Sequence, residues 1–349
     1  MTTMEQEARE APKIVARQLQ ENEKNIIALC KRLVQTPPPF AVTIGRGSSD
    51  HACSYAKYVL ETTAGLITSS GAPSVISIYK ANLNLKNSLV IGISQSGKSP
   101  DICSKMEEAR KKGATTVAIV NDTDSPLANF AEFVIPLHAG KEKAVAATKS
   151  YIASLAAIAQ FAAIFTKNQS LLQSLKQLPA ILEESLNMKE NWNNAIAKFS
   201  NVQKTLVIAR GFGYPIAQEA ALKFKETASI QAEAFSSAEV LHGPFALIEK
   251  GHPYLIFAQN DASLKGTIEL MEKIKKLGGK SILALAENCI TDELRCLAHL
   301  ILRLPISINP ILDPIVIIQA FYPMVAKLAV ARGYDPDSPT NLQKVTETM

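Results

Sequence analysis

The chain has 349 residues, of which 47% are hydrophobic and 20% charged, a composition typical of a globular protein with a sizeable core. Its net charge of +5 comes from 37 basic and 32 acidic residues without a block of like charges, which argues against nucleic-acid binding. The five cysteines form no CxxC pair, so we expect a reduced, cytoplasmic protein.

The first predicted element is an N-terminal helical segment, residues 1–39, which is charged and amphipathic. It lacks the apolar core of a signal peptide, and no uninterrupted apolar run reaches the ~18 residues that a membrane span needs. We therefore predict neither secretion nor membrane insertion.

The next element is a short apolar strand that ends in an R-G turn. In "FAVTIGRGSSDHACSYAKYVLET", Val42–Ile44 is followed by Gly45, Arg46 and Gly47, and then by a helical pattern. Ser48 and Ser49 stand where that helix begins.

A second apolar strand leads into "GISQSGKSPD", residues 92–101, which fits the Walker A pattern G-x-x-x-x-G-K-[ST]. Pro100 is well placed in the first turn of the helix that follows, and a strand, loop and helix N-terminus together make an anion site. Ser94, Gln95, Ser96 and Ser99 supply hydroxyl and amide groups that suit a single phosphate.

A nucleotide-binding loop would use Lys98 on the phosphates and an acidic strand end such as Asp122 for magnesium. However, the loop interior from 93 to 96 contains no glycine that would open the backbone around a triphosphate. The sequence therefore favours a phosphomonoester cradle over a nucleotide site.

The second half of the chain repeats the first at a period of about 165 residues. "TLVIARGFGYPIAQEAALKFKET" has the same order of strand, R-G turn and helix, and "SLVIGISQSG" recurs in form as "PYLIFAQNDA". In both halves apolar strands alternate with amphipathic helices, as they do in buried parallel sheets. We predict an α/β fold of two tandem modules, each a doubly wound, flavodoxin-like parallel sheet flanked by helices.

The predicted organisation has four parts: the helical segment 1–39, module 1 at 40–190, module 2 at 191–335 and a C-terminal tail at 336–349. In doubly wound sheets ligands bind beyond the carboxyl ends of the strands. The R-G turns and the serine-rich loop fall at that edge.

From residue 40 onward the chain resembles the sugar isomerase (SIS) domain family in tandem, as in the isomerase half of glutamine-fructose-6-phosphate aminotransferase. The resemblance is carried by "GRGSS", "SQSGKSPD", "EKAVAATKSY", "ARGFGYPIAQEAALKFKETASIQAEAF", "EVLHGPFALI" and "DPDSPTNLQKVTET". It implies an enzyme that acts on a sugar phosphate without a metal or redox cofactor, and a homodimer with shared active sites.

The resemblance also assigns roles to individual residues. Glu226 matches the proton-transfer base, Lys223 its neighbouring lysine, His242 the histidine of ring opening, and Lys344 the C-terminal lysine. The residues that it implies for substrate binding are Ser48, Ser49, Ser94, Gln95, Ser96, Ser99, Val145 and Thr148. The tail would close the active site.

The chemistry supports these residue types independently. A carboxylate can carry a proton between C2 and C1, a histidine can protonate the ring oxygen near neutral pH, and lysines can stabilise an enolate oxygen. The four histidines other than His242 share no metal-ligand spacing, so we predict no metal site. The sequence leaves the roles of His51 and Lys98 open. Glu142 could line the pocket beside Val145.

Three departures from the aminotransferase pattern favour deamination. The sequence begins "MTTMEQ", without the N-terminal cysteine and glutaminase domain, Lys98 replaces the glutamate usual after the S-Q-S-G loop, and Thr340 replaces an arginine. These changes resemble stand-alone SIS-type glucosamine-6-phosphate deaminases and related deglycases. The alternatives are a deglycase or isomerase for another amino sugar, such as galactosamine 6-phosphate or a fructosamine 6-phosphate, and a sugar-phosphate sensor without turnover.

Overall fold

The computed structural model describes residues 1–344, apart from the side chains of residues 189 and 190. Ten strands alternate with helices in this range: β1 (Ala41–Ile44), β2 (Thr68–Ser70), β3 (Leu89–Ser94), β4 (Thr115–Val120), β5 (Phe133–Pro136), β6 (Lys204–Ala209), β7 (Gln231–Ser236), β8 (Pro253–Phe257), β9 (Lys280–Ala286) and β10 (Leu300–Leu304). The α-helices are α1 (Thr3–Glu21), α2 (Glu23–Gln35), α3 (Ser48–Ala64), α4 (Ser74–Ser77), α5 (Pro100–Lys111), α6 (Pro126–Phe130), α7 (Lys149–Phe165), α8 (Gln169–Asn187), α9 (Lys189–Phe199), α10 (Tyr214–Ala228), α11 (Ser237–Val240), α12 (Leu264–Lys276), α13 (Asp292–Leu297) and α14 (Asp313–Ala331).

The strands form two five-stranded sheets with the same topology. The first sheet has the order β2-β1-β3-β4-β5, and the second, read from its β7 edge, has the order β7-β6-β8-β9-β10. Every strand pair in both sheets is parallel. This is the flavodoxin-like order, and it confirms the predicted fold of two α/β modules.

The chain divides into two compact units. Within the described residues, the first-sheet unit contains 13–142, 149–176 and 343–344, and the second-sheet unit contains 1–12, 143–148 and 177–342. The predicted boundaries after residues 39, 190 and 335 remain a prediction. The last five residues of the predicted tail, 345–349, lie outside the described residues.

In the first-sheet unit the sheet is covered on both faces. On one face, Val42 and Val90 of the sheet join Met106 of α5 and Leu127 of α6 in a buried apolar cluster. On the other, α3 packs against the nearly continuously buried α7. Because both faces are covered, β3 and β4 consist entirely of buried residues, as expected for central strands of a parallel sheet.

The second-sheet unit is built in the same way. One face packs on α12, and on the other Phe224 of α10 makes ring contacts with Phe199 and Phe321, at centroid distances of 5.4 and 5.3 Å. Helix α14 is long and apolar enough to cross a membrane, but 83% of that stretch is buried inside the protein. It packs against α9 and α10, which is the behaviour of a core helix.

Candidate active site

The serine-rich loop lies at the topological switch point of the first sheet, between the carboxyl ends of β1 and β3. Ser94 ends β3, and its hydroxyl accepts a hydrogen bond from the Gly97 amide at 2.9 Å. Gly97 has φ of +64°, and a Cβ there would lie 2.1 Å from the hydroxyl oxygen of Ser125. Glycine is therefore required at this position both by the backbone conformation and by the close packing.

Helix α5 begins directly after this loop. Ser99 precedes Pro100 in the N-cap position, and its side chain makes no capping hydrogen bond. The amides of the first turn of a helix lack intrahelical partners, and the helix dipole favours an anion there. Gln95, Ser96 and Ser99 are partly exposed, whereas Ser94 is 7% exposed and braces the loop.

The R-G turn and the serine-rich loop are linked by an ion pair that the sequence interpretation missed. The Arg46 guanidinium contacts the Asp101 carboxylate on α5, with Nη2 to Oδ2 at 2.6 Å and Nε to Oδ2 at 3.0 Å. The Asp101 side chain is completely buried, whereas Arg46 is about half exposed. Ser48 and Ser49 follow in the first turn of α3 and are partly buried.

Lys98, which completes the Walker pattern, does not point into a buried anion site. Its ammonium lies 3.3 Å from the Asp122 carboxylate, and the two side chains are 57% and 37% exposed. An ion pair this exposed contributes little to stability.

Lys344 has a buried carboxylate partner in the first-sheet unit. Its ammonium lies 3.1 Å from Oε2 of Glu142, whose side chain is fully buried. Glu142 also accepts hydrogen bonds from the hydroxyl and the amide of Ser150, at 2.7 and 3.2 Å. The network gives the buried Glu142 carboxyl group hydrogen-bond partners, and it holds Lys344 in a defined place.

Val145 and Thr148 belong to the second-sheet unit. The Val145 amide donates to the Asp337 carbonyl at 3.1 Å, and Thr148 is fully buried. The Asp337 carboxylate in turn accepts from the amides of Thr3 and Met4, both at 2.7 Å, in the first turn of α1. The segment around Val145 is thus tied to the residues that precede Lys344.

Helix α10 carries Glu226 and Lys223 on one face, together with Glu219. The Lys223 ammonium is 1% exposed and lies 2.5 Å from Oε2 of Glu226 and 3.3 Å from Oε1 of Glu219. Tyr322 of α14 donates from its hydroxyl to the same oxygen of Glu219 at 3.0 Å. Burial alone would lower the pKa of Lys223, but the charges of Glu219 and Glu226 outweigh it and raise that pKa, so Lys223 remains an ammonium.

Of the two carboxylates, only Glu226 can reach a ligand. Its side chain is 21% exposed, whereas Glu219 is fully buried. Glu219 was missed by the sequence interpretation, although its spacing of four residues from Lys223 places it on the same helix face. Tyr322 lies 103 residues further along the chain and had no local signal.

His242 lies in an exposed turn between α11 and Pro244. Its amide donates to the Glu239 carbonyl at 2.9 Å, and Gly243 follows with φ of +148°. Within residues 1–344 its imidazole has no hydrogen-bond or ion-pair partner. The ring is therefore accessible to a ligand or to another chain.

The second module has a different loop at its own switch point, after β8. The Asp261 carboxylate accepts from the amide of Ser263 at 2.8 Å and from Gln259 at 3.1 Å. Gln259 also donates to the carbonyl of Arg210, in the R-G turn, at 2.7 Å. Here a carboxylate accepts the amide hydrogen bond, whereas in the serine-rich loop the uncharged Ser96 hydroxyl accepts from the Lys98 amide at 3.4 Å.

Comparison with known proteins places these features in a family. The "SIS domain" family description matches residues 40–164 and 198–330. The chain is 33% identical over 310 residues to glutamine-fructose-6-phosphate aminotransferase of Thermus thermophilus, covering 86% of this chain and 51% of that protein. The chain thus spans about half the length of this curated relative.

Two solved structures extend the similarity to three dimensions. A candidate phosphosugar isomerase from Silicibacter pomeroyi is 36% identical with a TM-score of 0.89, covering 97% of this chain and all of that chain. The C-terminal domain of the aminotransferase from Francisella tularensis is 26% identical with a TM-score of 0.86, covering 97% of this chain and 98% of the other.

Proposed function

The chain belongs to the SIS domain family, and from this premise we propose that it is a glucosamine-6-phosphate deaminase. A role in sugar-phosphate isomerisation follows from the relatives, and deamination is the finer proposal. The observation that carries the isomerisation step is the buried Lys223 ammonium. It is held between the carboxylates of Glu219 and Glu226, of which Glu226 is the accessible one. We expect the protein to act in the cytoplasm.

The isomerisation step requires a base that removes the proton from C2 of the opened sugar and returns it to C1. Glu226 is suited to this because its carboxyl group lies 2.5 Å from the Lys223 ammonium and is still partly exposed. The Lys223 ammonium remains charged throughout and can offset the charge that develops on the enolamine. Glucosamine 6-phosphate then becomes the 2-imine of fructose 6-phosphate, and water hydrolyses this imine to fructose 6-phosphate and ammonia.

The phosphate would bind at the serine-rich loop. The N-terminal amides of α5 and the hydroxyls of Ser96 and Ser99 provide donors to its oxygens. Because Ser94 accepts from Gly97, its hydroxyl shapes the loop and keeps one hydrogen to donate. We keep the substrate-binding roles proposed for Ser48, Ser49, Gln95, Val145 and Thr148.

Ring opening is assigned to His242, whose imidazole is exposed and accessible to a ligand. We expect a homodimer in which the histidine turn of one subunit serves the site of the other. A mass measurement in solution tests this, and a monomer at the concentration of the assay would overturn it. Lys344, fixed by Glu142, would neutralise charge on the open-chain sugar.

The amine substrate is favoured by the departures from the aminotransferase pattern at Lys98 and Thr340. Glucosamine 6-phosphate should yield ammonia and fructose 6-phosphate in equal amounts. If neither forms, the proposal fails. Parallel reactions use galactosamine 6-phosphate and a fructosamine 6-phosphate, and ammonia or amine release from one of them would identify another amino-sugar substrate. Thermal stabilisation by these sugar phosphates without product would indicate a sensor.

Glu226→Gln tests the assigned base. We expect loss of turnover with retained thermal stabilisation by glucosamine 6-phosphate, because the phosphate site is untouched. Glu269→Gln is the matched control, since Glu269 is an exposed glutamate on α12. Equal turnover in the two variants would assign the base elsewhere.

A further inference from the structure

Two buried side chains near Lys223, Glu219 of α10 and Tyr322 of α14, have no role in the proposed reaction so far. Glu219 and Tyr322 are both fully buried, and the Tyr322 hydroxyl donates to Oε1 of Glu219 at 3.0 Å. The same oxygen lies 3.3 Å from the Lys223 ammonium. A buried carboxylate with two donors on one oxygen is arranged to remain ionised.

The charges in this cluster determine how strong a base Glu226 can be. With both carboxylates ionised, the Lys223 ammonium is shared between them. If Glu219 were protonated, the Lys223 ammonium would lose one of the two carboxylate charges beside it and would hold the Glu226 carboxylate more strongly. A carboxylate bound in this way is a poorer acceptor for the proton on C2 of the sugar.

We infer that Tyr322 is a positioning residue for catalysis: its hydroxyl keeps Glu219 ionised, so that Glu219 offsets the charge of Lys223 and leaves Glu226 free to act as the base. The inference deepens the proposed function and rests on it. Tyr322 does not touch substrate in this scheme; it acts through Glu219 and Lys223.

The kinetic test is Tyr322→Phe, which removes only the hydroxyl and keeps the ring in the core. We expect kcat for ammonia release to fall about tenfold with KM within a factor of two, because a hydrogen bond to a charged group is among the stronger ones and part of its loss reaches the base. Glu219→Gln should have the same effect, and the double variant should be no slower than either single variant.

Tyr254→Phe is the matched control. Tyr254 is also a buried tyrosine of the second-sheet unit, and its hydroxyl accepts from the Glu249 amide at 2.7 Å and donates to the Leu247 carbonyl at 3.0 Å. Its loss should lower thermal stability without changing kcat. An unchanged kcat in Tyr322→Phe, or an equal fall in Tyr254→Phe, overturns the inference.

A second measurement does not depend on turnover. At pH 8, infrared spectroscopy of Tyr322→Phe should show a protonated carboxyl band that is absent from the unsubstituted protein and from the variant that also carries Glu219→Gln. Absence of this band in Tyr322→Phe contradicts the inference even if the protein deaminates no sugar. Failure of the unsubstituted protein to release ammonia, with the band present, contradicts the proposed function alone.

Discussion

Asp313, the first residue of α14, is a buried acid whose ionisation should cost stability at neutral pH. It is 6% exposed, and burial raises its pKa from 3.8 to about 6, although Ser307 and the Asn260 backbone donate hydrogen bonds to it. The dipole of α14 also favours the anion, but desolvation, with a smaller contribution from the charge of Asp261, outweighs these favourable effects and raises the pKa. The shift corresponds to about 3 kcal/mol, at about 1.4 kcal/mol for each pH unit.

The sign follows from proton binding. Between pH 6 and pH 4 the folded protein binds a proton at Asp313 that the unfolded chain does not, so this group adds stability as the pH falls. Above pH 7 both states are ionised and the full penalty remains. Asp313→Asn removes the ionisable group and should therefore stabilise the protein at pH 7.5 by between about 1 and 3 kcal/mol, the lower figure allowing for the poorer acceptor.

The measurement is thermal unfolding by calorimetry at pH 7.5 and at pH 4.5. We expect the variant to have the higher Tm at pH 7.5, and most of that advantage to disappear at pH 4.5. Asp292→Asn is the control, because Asp292 is fully exposed at the start of α13 and should give no such pH-dependent gain. A variant whose Tm difference is the same at both pH values would refute the reasoning.

Three further predictions concern the candidate site. Gly97→Ala should weaken binding of glucosamine 6-phosphate in calorimetric titration and should cost about 1–3 kcal/mol of stability. Gly113→Ala is the control: Gly113 also has a positive φ, but a Cβ there would meet open space, so binding should be unchanged. Glu142→Gln and Lys344→Met should each lower kcat about tenfold, because each removes one partner of the ion pair that holds Lys344. Normal kcat in both variants would remove Lys344 from the mechanism. Lys98→Ala should change KM by less than about threefold, since its ion pair is exposed, and a larger change would assign Lys98 to the phosphate.

Much of the fold could be predicted because the signals are local. The apolar runs of β3 and β4, the R-G turns and the repeat of about 165 residues identify two parallel modules. The structure confirms them with one strand order in both sheets. The placement of the N-terminal and C-terminal segments was harder to predict, because Thr3 and Asp337 meet through a hydrogen bond across 334 residues of sequence.

The candidate site could be predicted in part. Glu226 and Lys223 could be proposed from a recognisable motif, and the structure places their side chains in contact. The hydrogen bond from Tyr322 to Glu219 and the ion pair of Lys344 with Glu142 could not, because they form only through long-range folding, across 103 and 202 residues. A polar group in an apolar helix such as α14 is a weak signal in a single sequence, because a buried tyrosine is common in protein cores.

The loop after β8 bears on which of the two switch points can accept an anion. Asp261 lies in this loop, and its carboxylate accepts a hydrogen bond from the Ser263 amide. A carboxylate at this position repels a phosphate, whereas the serine-rich loop presents uncharged hydroxyls before α5. We therefore expect titration with a sugar phosphate to give one bound molecule per chain, although the fold provides two switch points.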